Sequence, residues 1–194
     1  MANALFIIDV QVDFCEGGAL ACEGGADAAK RITEYLADNP DRYDFVIAPR
    51  DWHTADSDNG GHFPPSGVQP DFVNHWPLHC IADTPGAEFH ENLDGSLIDI
   101  DIKKGQGAHG YSIFEGSTDS GESIQSVISR LEIDSVDVVG IATDYCVRAS
   151  ALDAVLAGLK VRVITSLTAG VNPVSSEAAI DEMVDAGAQV VARP

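Results

Sequence analysis

Short apolar runs alternate with amphipathic stretches along most of the chain. Ala4 to Asp9 is an apolar run closed by a carboxylate, and Phe45 to Pro49 is a second. Both read as strands buried on two faces, because neither alternates with polar residues. Ile98 to Lys104 does alternate. Ile98, Ile100, Ile102 and Lys104 fall on one side, and Asp99, Asp101 and Lys103 on the other. Ser135 to Ile141, Lys160 to Ser166 and Gln189 to Val191 complete the strands. Between them the apolar period lengthens to that of a helix. It predicts helices over 26–38 (Ile32, Tyr35, Leu36) and 121–133 (Ile124, Val127, Ile128, Leu131), the latter with Asp119 or Ser120 near its start. Two more follow, over 144–157 and 175–186, stopped by Gly158 and Gly187. Strands alternating with helices predict an α/β fold in which helices cover both faces of the sheet. The expectation is one domain over 1–194.

Residues 50–96 interrupt this order. The stretch is rich in Gly, Pro, Asp and His and has no period. A long irregular segment inside a compact domain is usually functional. Five of the six histidines fall in it: His53, His62, His75, His79 and His90.

Composition narrows the class. Hydrophobic residues make up 45 % of the 194, enough for a packed core. Lys and Arg number 11 against 31 Asp and Glu, a formal charge of −20. That balance repels phosphate, so nucleic acid and anionic membrane are excluded as partners. It also suits a protein kept in high salt, where counterions screen the self-repulsion. No apolar run approaches the ~18 residues of a membrane span. The first run is broken by Asp9, and no basic region precedes it, so a secretory signal is not expected and a cytoplasmic location is. Cys15, Cys22, Cys80 and Cys146 are scattered, which predicts free thiols rather than a disulfide framework.

Parallel sheets bind ligands at the carboxyl ends of their strands. Asp9 closes the first strand, Asp51 and His53 follow the second, Lys104 closes the third, and Cys146 opens the helix after the fourth. Asp9 suits a general acid/base, or more plainly a turn cap. Cys146 lies near a helix N-terminus, with Thr143 and Asp144 as candidate caps. There a thiolate is favoured, although a small buried core residue is the plainer role. Lys104 projects from an apolar strand face and needs an anionic partner, which Cys146 or Asp9 would supply. Lys103 has Asp99 and Asp101 beside it on the solvated face. Asp51 and His53, two apart, can point the same way, and His62 and His79 can loop back to them. One carboxylate and three imidazoles suit Zn, Fe or Mn, with surface histidines as the plain alternative.

The motifs Asp9-Val-Gln-Val-Asp-Phe-Cys-Glu-Gly-Gly18, Arg50-Asp-Trp-His53, Gly61-His-Phe63, Trp76-Pro-Leu-His-Cys80, Lys104-Gly105 with Tyr111-Ser-Ile-Phe-Glu-Gly116, and Gly140-Ile-Ala-Thr-Asp-Tyr-Cys-Val-Arg148 stand in this order. Together they closely resemble the nicotinamidase/pyrazinamidase branch of the isochorismatase-like cysteine hydrolases, over essentially the whole chain. The resemblance implies a three-layer α/β/α sandwich with a six-stranded, mostly parallel sheet, and a metal-binding loop insertion over about 50–96. It implies a catalytic triad of Asp9, Lys104 and Cys146, and an oxyanion hole from Ala142 and Cys146. It implies one divalent metal on Asp51, His53, His62 and His79, and a non-proline cis peptide between Ile141 and Ala142. Substrate contacts follow from Phe14, Trp76, Tyr111, Ile141, Ala142 and Tyr145. Val12 and Tyr145 depart from the polar residue and the histidine that many relatives carry there. The expected substrate is nicotinamide or pyrazinamide, hydrolysed through a Cys thioester in NAD salvage, by a monomer or a homo-oligomer. The alternatives are another small-amide or ureido hydrolase of the same superfamily, a metal-hydroxide hydrolase in which Cys146 is structural, and a non-catalytic binding module. Vinyl-ether hydrolysis is also known in the superfamily but does not need the cysteine.

Overall fold

A computed structural model describes all 194 residues. Six strands form one sheet: β1 (Ala2–Ile8), β2 (Phe45–Asp51), β3 (Ile100–Lys104), β4 (Ile133–Ile141), β5 (Lys160–Ala169) and β6 (Gln189–Val191). They lie in the order β3-β2-β1-β4-β5-β6. Every pairing is parallel, so the sheet is wholly rather than mostly so. Four helices accompany it: α1 (Gly25–Asp38), α2 (Ile124–Arg130), α3 (Arg148–Leu156) and α4 (Pro173–Ala186).

The two faces are covered unequally. Leu5, Ile7, Ala48, Val139 and Ile164 pack against Ala28, Ala29, Ile32 and Leu36 of α1 and against the 80–93 segment. Phe6, Ile8, Ile47, Ile102, Val136 and Val138 pack against Ile124 and Val127 of α2, Ala151 and Ala154 of α3, and Met183 of α4. This is the three-layer α/β/α arrangement. Ala4 to Ile8 are fully buried, as a strand with helices on both sides must be. The strand order reverses between β1 and β4, and the crevice at such a reversal is where this class of sheet binds ligands. No helix is long and apolar enough to cross a membrane.

Several boundaries differ from the sequence expectation, each for a local reason. The helix expected over 121–133 is only α2, because Ser123 caps it and Glu132 turns into the left-handed region (φ 53°). Ile133 is thereby released to pair with Ala2 and start β4 two residues early. The 144–157 helix is split: Thr143–Val147 is a π turn, and α3 begins at Arg148. Neither Thr143 nor Asp144 caps it. Thr143 bonds Thr168, and buried Asp144 accepts from the Val171 and Asn172 N–H groups and the Ser175 hydroxyl. Asn172 caps α4, with Pro173 as its first residue, so that helix starts two residues before the expected 175. β5 runs on to Ala169 through a bulge opposite Val138–Gly140. β3 begins at Ile100, since Ile98 closes a 3-10 turn over Gly95–Leu97. β1 ends at Ile8, and Asp9 lies beyond it in the left-handed region (φ 46°). Residues 52–98 contain no named strand and only two short 3-10 turns.

Candidate active site

Four adjacent strands each deliver one charged or nucleophilic group to the same rim. In spatial order these are Lys104 at the end of β3, Asp51 at the end of β2, Asp9 just past β1, and Cys146 in the π turn after β4. Lys104 Nζ forms a short ion pair with Asp51 Oδ1. It lies 2.9 Å from Asp9 Oδ2 and 3.8 Å from Cys146 Sγ. The sequence offers Asp51 only as a metal ligand; its pair with Lys104 arises because the two residues are register partners on β2 and β3. Lys103 points away, at 18 % exposure. It pairs with Asp119 at 2.8 Å and lies 4.4 Å from the centre of the Trp52 ring, not with the aspartates of its own strand. Asp101 is taken instead by Arg50, and Asp99 by the Val46 N–H.

Burial sets the protonation of these groups. It pushes the Asp9 carboxyl up; Lys104 opposes this, Asp51 adds to it, and the result is about 7. Lys104 Nζ meets Asp9 off the line of a good hydrogen bond, so both Asp9 oxygens are buried without a donor. A carboxylate so placed readily takes up a proton. Burial alone would lower Lys104, but the carboxylates of Asp51 and Asp9 outweigh it and hold the ammonium well above the ordinary lysine range. The Cys146 thiol is raised well above its usual value by burial; Lys104 pulls it down, and Asp9 and Asp51 push it further up. Burial and the two carboxylates thus oppose the thiolate that Lys104 favours, and the turn carrying Cys146 is π-helical and deeply buried.

The second half of the site lies on the irregular segment. Ring nitrogens of His53, His62 and His79 fall within 4.8 Å of one another, and all three residues are buried. Asp51 Oδ2 lies 3.5 Å from His53 Nε2 and 3.8 Å from His79 Nε2, so it stands at the edge of the cluster with its other oxygen on Lys104. His53 Nδ1 meets the Gly105 carbonyl at 3.0 Å, and His79 Nδ1 meets the Pro77 carbonyl at 2.7 Å. A carbonyl there requires the proton on Nδ1 and turns the Nε2 lone pair into the cluster, the second-shell pattern of metal-binding histidines. His53 Nε2 is buried with no hydrogen-bond partner. His62 is lowered to about 3 by burial and by the other two imidazoles. Three converging imidazoles beside a carboxylate fit a divalent transition metal.

The backbone makes room for this. Gly105 has φ 79°, and a Cβ there would sit 2.6 Å from His53 Cε1. Buried Asn59 (φ 48°) bonds the Thr54 and Ser57 carbonyls and accepts the Thr54 and Gly107 N–H groups, joining two loops under the cluster. Gln11 does the same for β2, bonding both the N–H and the carbonyl of Asp51. Sequence reading missed Gln11 and Asn59. Gln11 lies inside the first motif and Asn59 in none, and only burial shows what either amide does.

Between the two halves lies a cavity of about 450 Å3, counted out to its open mouth. Phe14, Trp76, Tyr111, Ile141, Ala142 and Tyr145 all line it, with Cys146, Asp51, His62 and His79. Leu20, Cys22 and Val171 also line it and were not anticipated. Trp76 stands edge-on to Tyr145, ring centres 5.2 Å apart, and Phe14 tilts over His79 at 5.3 Å. The Ile141–Ala142 peptide is cis. Asp9, Lys104 and His53 sit behind the wall. The site can therefore hold a small aromatic ring with one edge at the imidazoles and another at the thiol.

The chain belongs to the isochorismatase family: the model of the isochorismatase domain matches residues 3–193. It is 48 % identical over 189 residues to the nicotinamidase/pyrazinamidase of Mycobacterium tuberculosis, covering 97 % of this chain and 98 % of that one. The pyrazinamidase of Pyrococcus horikoshii, solved in complex with zinc, superposes with a TM-score of 0.80 at 33 % identity, covering 98 % of this chain and 99 % of that one. PnC1 from L. infantum, solved with nicotinate, gives 0.81 at 30 %, covering 98 % and 92 %. Within the family, this places the chain in the nicotinamidase/pyrazinamidase branch.

Proposed function

We propose that the chain hydrolyses nicotinamide, and pyrazinamide as its ring analogue, to the acid and ammonia. One observation carries the reading. A buried thiol flanked by a raised carboxylate and a lysine stands at one end of an aromatic cavity, and three converging imidazoles stand at the other. A carboxamide on a pyridine ring has the matching two ends.

Asp9 removes the thiol proton as Cys146 Sγ attacks the amide carbon, and the same proton goes to the departing ammonia. Lys104 neutralises Asp9 and the forming thiolate together, which is why neither is stable alone in this site. The Ala142 and Cys146 N–H groups bond the oxyanion. Water, deprotonated by Asp9, then releases the acid from the thioester. Asp51, His53, His62 and His79 would hold one divalent metal, Zn, Fe or Mn. When bound, it supplies a Lewis-acid site for the ring nitrogen. Phe14, Trp76, Tyr111, Ile141 and Tyr145 confine the ring so that its carboxamide faces the thiol. The reading takes 1–194 as one domain with a metal-binding segment at about 50–96, working in NAD salvage in the cytoplasm.

The direct test is ammonia release from nicotinamide by metal-replete protein; no release sinks the reading. Replacing His53 or His79 by Ala should remove bound metal, measured by elemental analysis, and should raise KM at least as much as it lowers kcat. Unchanged metal content in both variants would refute the ligand assignment.

A further inference from the structure

His62, His109, Tyr111 and Trp76 form a closed circuit on one wall of the cavity. The His62 and His109 ring centres are 4.8 Å apart, tilted by 53°. His109 stands edge-on to Tyr111 at 5.5 Å, with its Nε2 3.4 Å from the tyrosine hydroxyl. Trp76 Nε1–H donates to that hydroxyl at 3.0 Å. The Trp76 backbone N–H donates to the His62 carbonyl at 2.9 Å, which closes the circuit. Trp76 uses the hydroxyl as an acceptor and His109 Nε2 meets the same hydroxyl, so one oxygen ties the two rings together.

His109 is exposed and belongs to none of the motifs, yet the backbone places it firmly. The Gly107 N–H is held by buried Asn59 at 3.0 Å. Gly60 packs so closely that a Cβ on it would lie 3.0 Å from the His109 nitrogen. Loop 105–110 and the loop carrying His62 are thus one packed unit. His62 also differs from its two neighbours in the cluster. His53 and His79 are oriented by carbonyls, whereas His62 Nδ1 is buried without any partner. Apart from Nε2, which meets His79 Nε2 at 3.3 Å, the His62 ring is oriented by packing. Of the rings against it, His53, Phe63 and His79 are buried and Tyr111 is half-buried; His109 is the exposed one.

We infer that His109 is a positioning residue that clamps His62 in its ligating orientation and, through Tyr111, fixes Trp76 on the substrate wall. One side chain outside the metal shell then sets both metal retention and the fit of the ring. The inference rests on the proposal that His53, His62 and His79 hold the metal.

The test uses zinc-loaded protein mixed with excess chromogenic chelator, and compares wild type with His109→Ala and His109→Phe. The position is exposed, so neither change threatens the core. Without the ring, zinc should be lost about fivefold to tenfold faster, the range of an outer-shell or aromatic-packing loss. Phe keeps the ring and should lose zinc within about twofold of wild type. Both variants lack the ring nitrogen that meets the Tyr111 hydroxyl, so both should raise KM for nicotinamide about threefold or more, with kcat within about twofold. Zinc loss from His109→Ala within twofold of wild type overturns the inference. So does zinc loss from His109→Phe as fast as from His109→Ala, or an unmoved KM in both. A wild-type protein that takes up no zinc overturns the metal reading itself, and this inference with it; the wild-type control alone tells the two failures apart.

Discussion

Cys146→Ala should release ammonia at least about a thousandfold more slowly than the wild type, the scale seen when a covalent nucleophile is removed. Its substrate affinity should be nearly unchanged. The side chain lost is small, and the cavity it borders is walled by Phe14, Trp76, Tyr111 and Tyr145, which remain. The ring can still bind; only the attacking atom has gone. Burst-phase kinetics should disappear along with turnover, because no thioester can form. A variant keeping a tenth of wild-type ammonia release would end covalent catalysis through this thiol and favour a metal-bound hydroxide as the nucleophile. Fluorescence titration of the variant with nicotinamide separates lost chemistry from lost binding.

The second large effect distinguishes two adjacent lysines. Lys104→Met should lose most activity, whereas Lys103→Met should stay within about threefold, roughly 0.7 kcal/mol in the barrier. Lys104 is 1 % exposed between Asp9, Asp51 and Cys146, where water screens little of its charge. Lys103 makes one partly solvated pair with Asp119, an interaction of ordinarily ~0–1 kcal/mol. The pH dependence follows with a definite sign. Asp9 must be ionised to accept the thiol proton, so kcat/KM should rise with pH through about 7 and level above it. Lys104 lowers the Asp9 value, so its removal lets that value climb and moves the acid limb to higher pH. The same removal raises the Cys146 thiol, so alkylation at Cys146, followed by mass spectrometry, should need a higher pH. An acid limb that stays put in Lys104→Met would exclude the lysine from the proton balance.

Strand periodicity made Lys104 legible. The alternation through Ile100 and Ile102 places it on the buried face, even though Ile98 falls outside the strand and the face is one residue pair shorter than read. The buried strands and most helices were legible for the same reason, since their apolar periods are strong. The helix starts were less so. Asn172-Pro173 is an N-terminal signal that the apolar period alone passes over. The π turn at Cys146 leaves no periodic trace, because it shifts the register by a fraction of a turn. The irregular half of the site was legible only as a concentration of histidines. His53, His62 and His79 could be picked from it beside Asp51, but spacing does not show how each ring is held; His75, outside that set, pairs with Asp71. His53 and His79 are turned by the Gly105 and Pro77 carbonyls, and Asn59 ties together the loops beneath them, contacts that no periodicity reports.

Lys104, which joins the two halves of the site, stands at the end of an edge strand. β3 pairs with β2 alone on its inner side, and on its outer side Lys103 exchanges hydrogen bonds only with Ser117. Asp51, Asp9 and Cys146 come from strands held on both sides. Edge elements open at a lower free energy than the centre of a sheet. Fraying of β3 would withdraw the ammonium from Asp9 and Asp51, and Asp9 would then take up a proton and lose its role as base. Local opening of β3 is therefore expected ahead of opening of the core, and faster hydrogen exchange at the β3 amides than at those of β1 and β4 would show it.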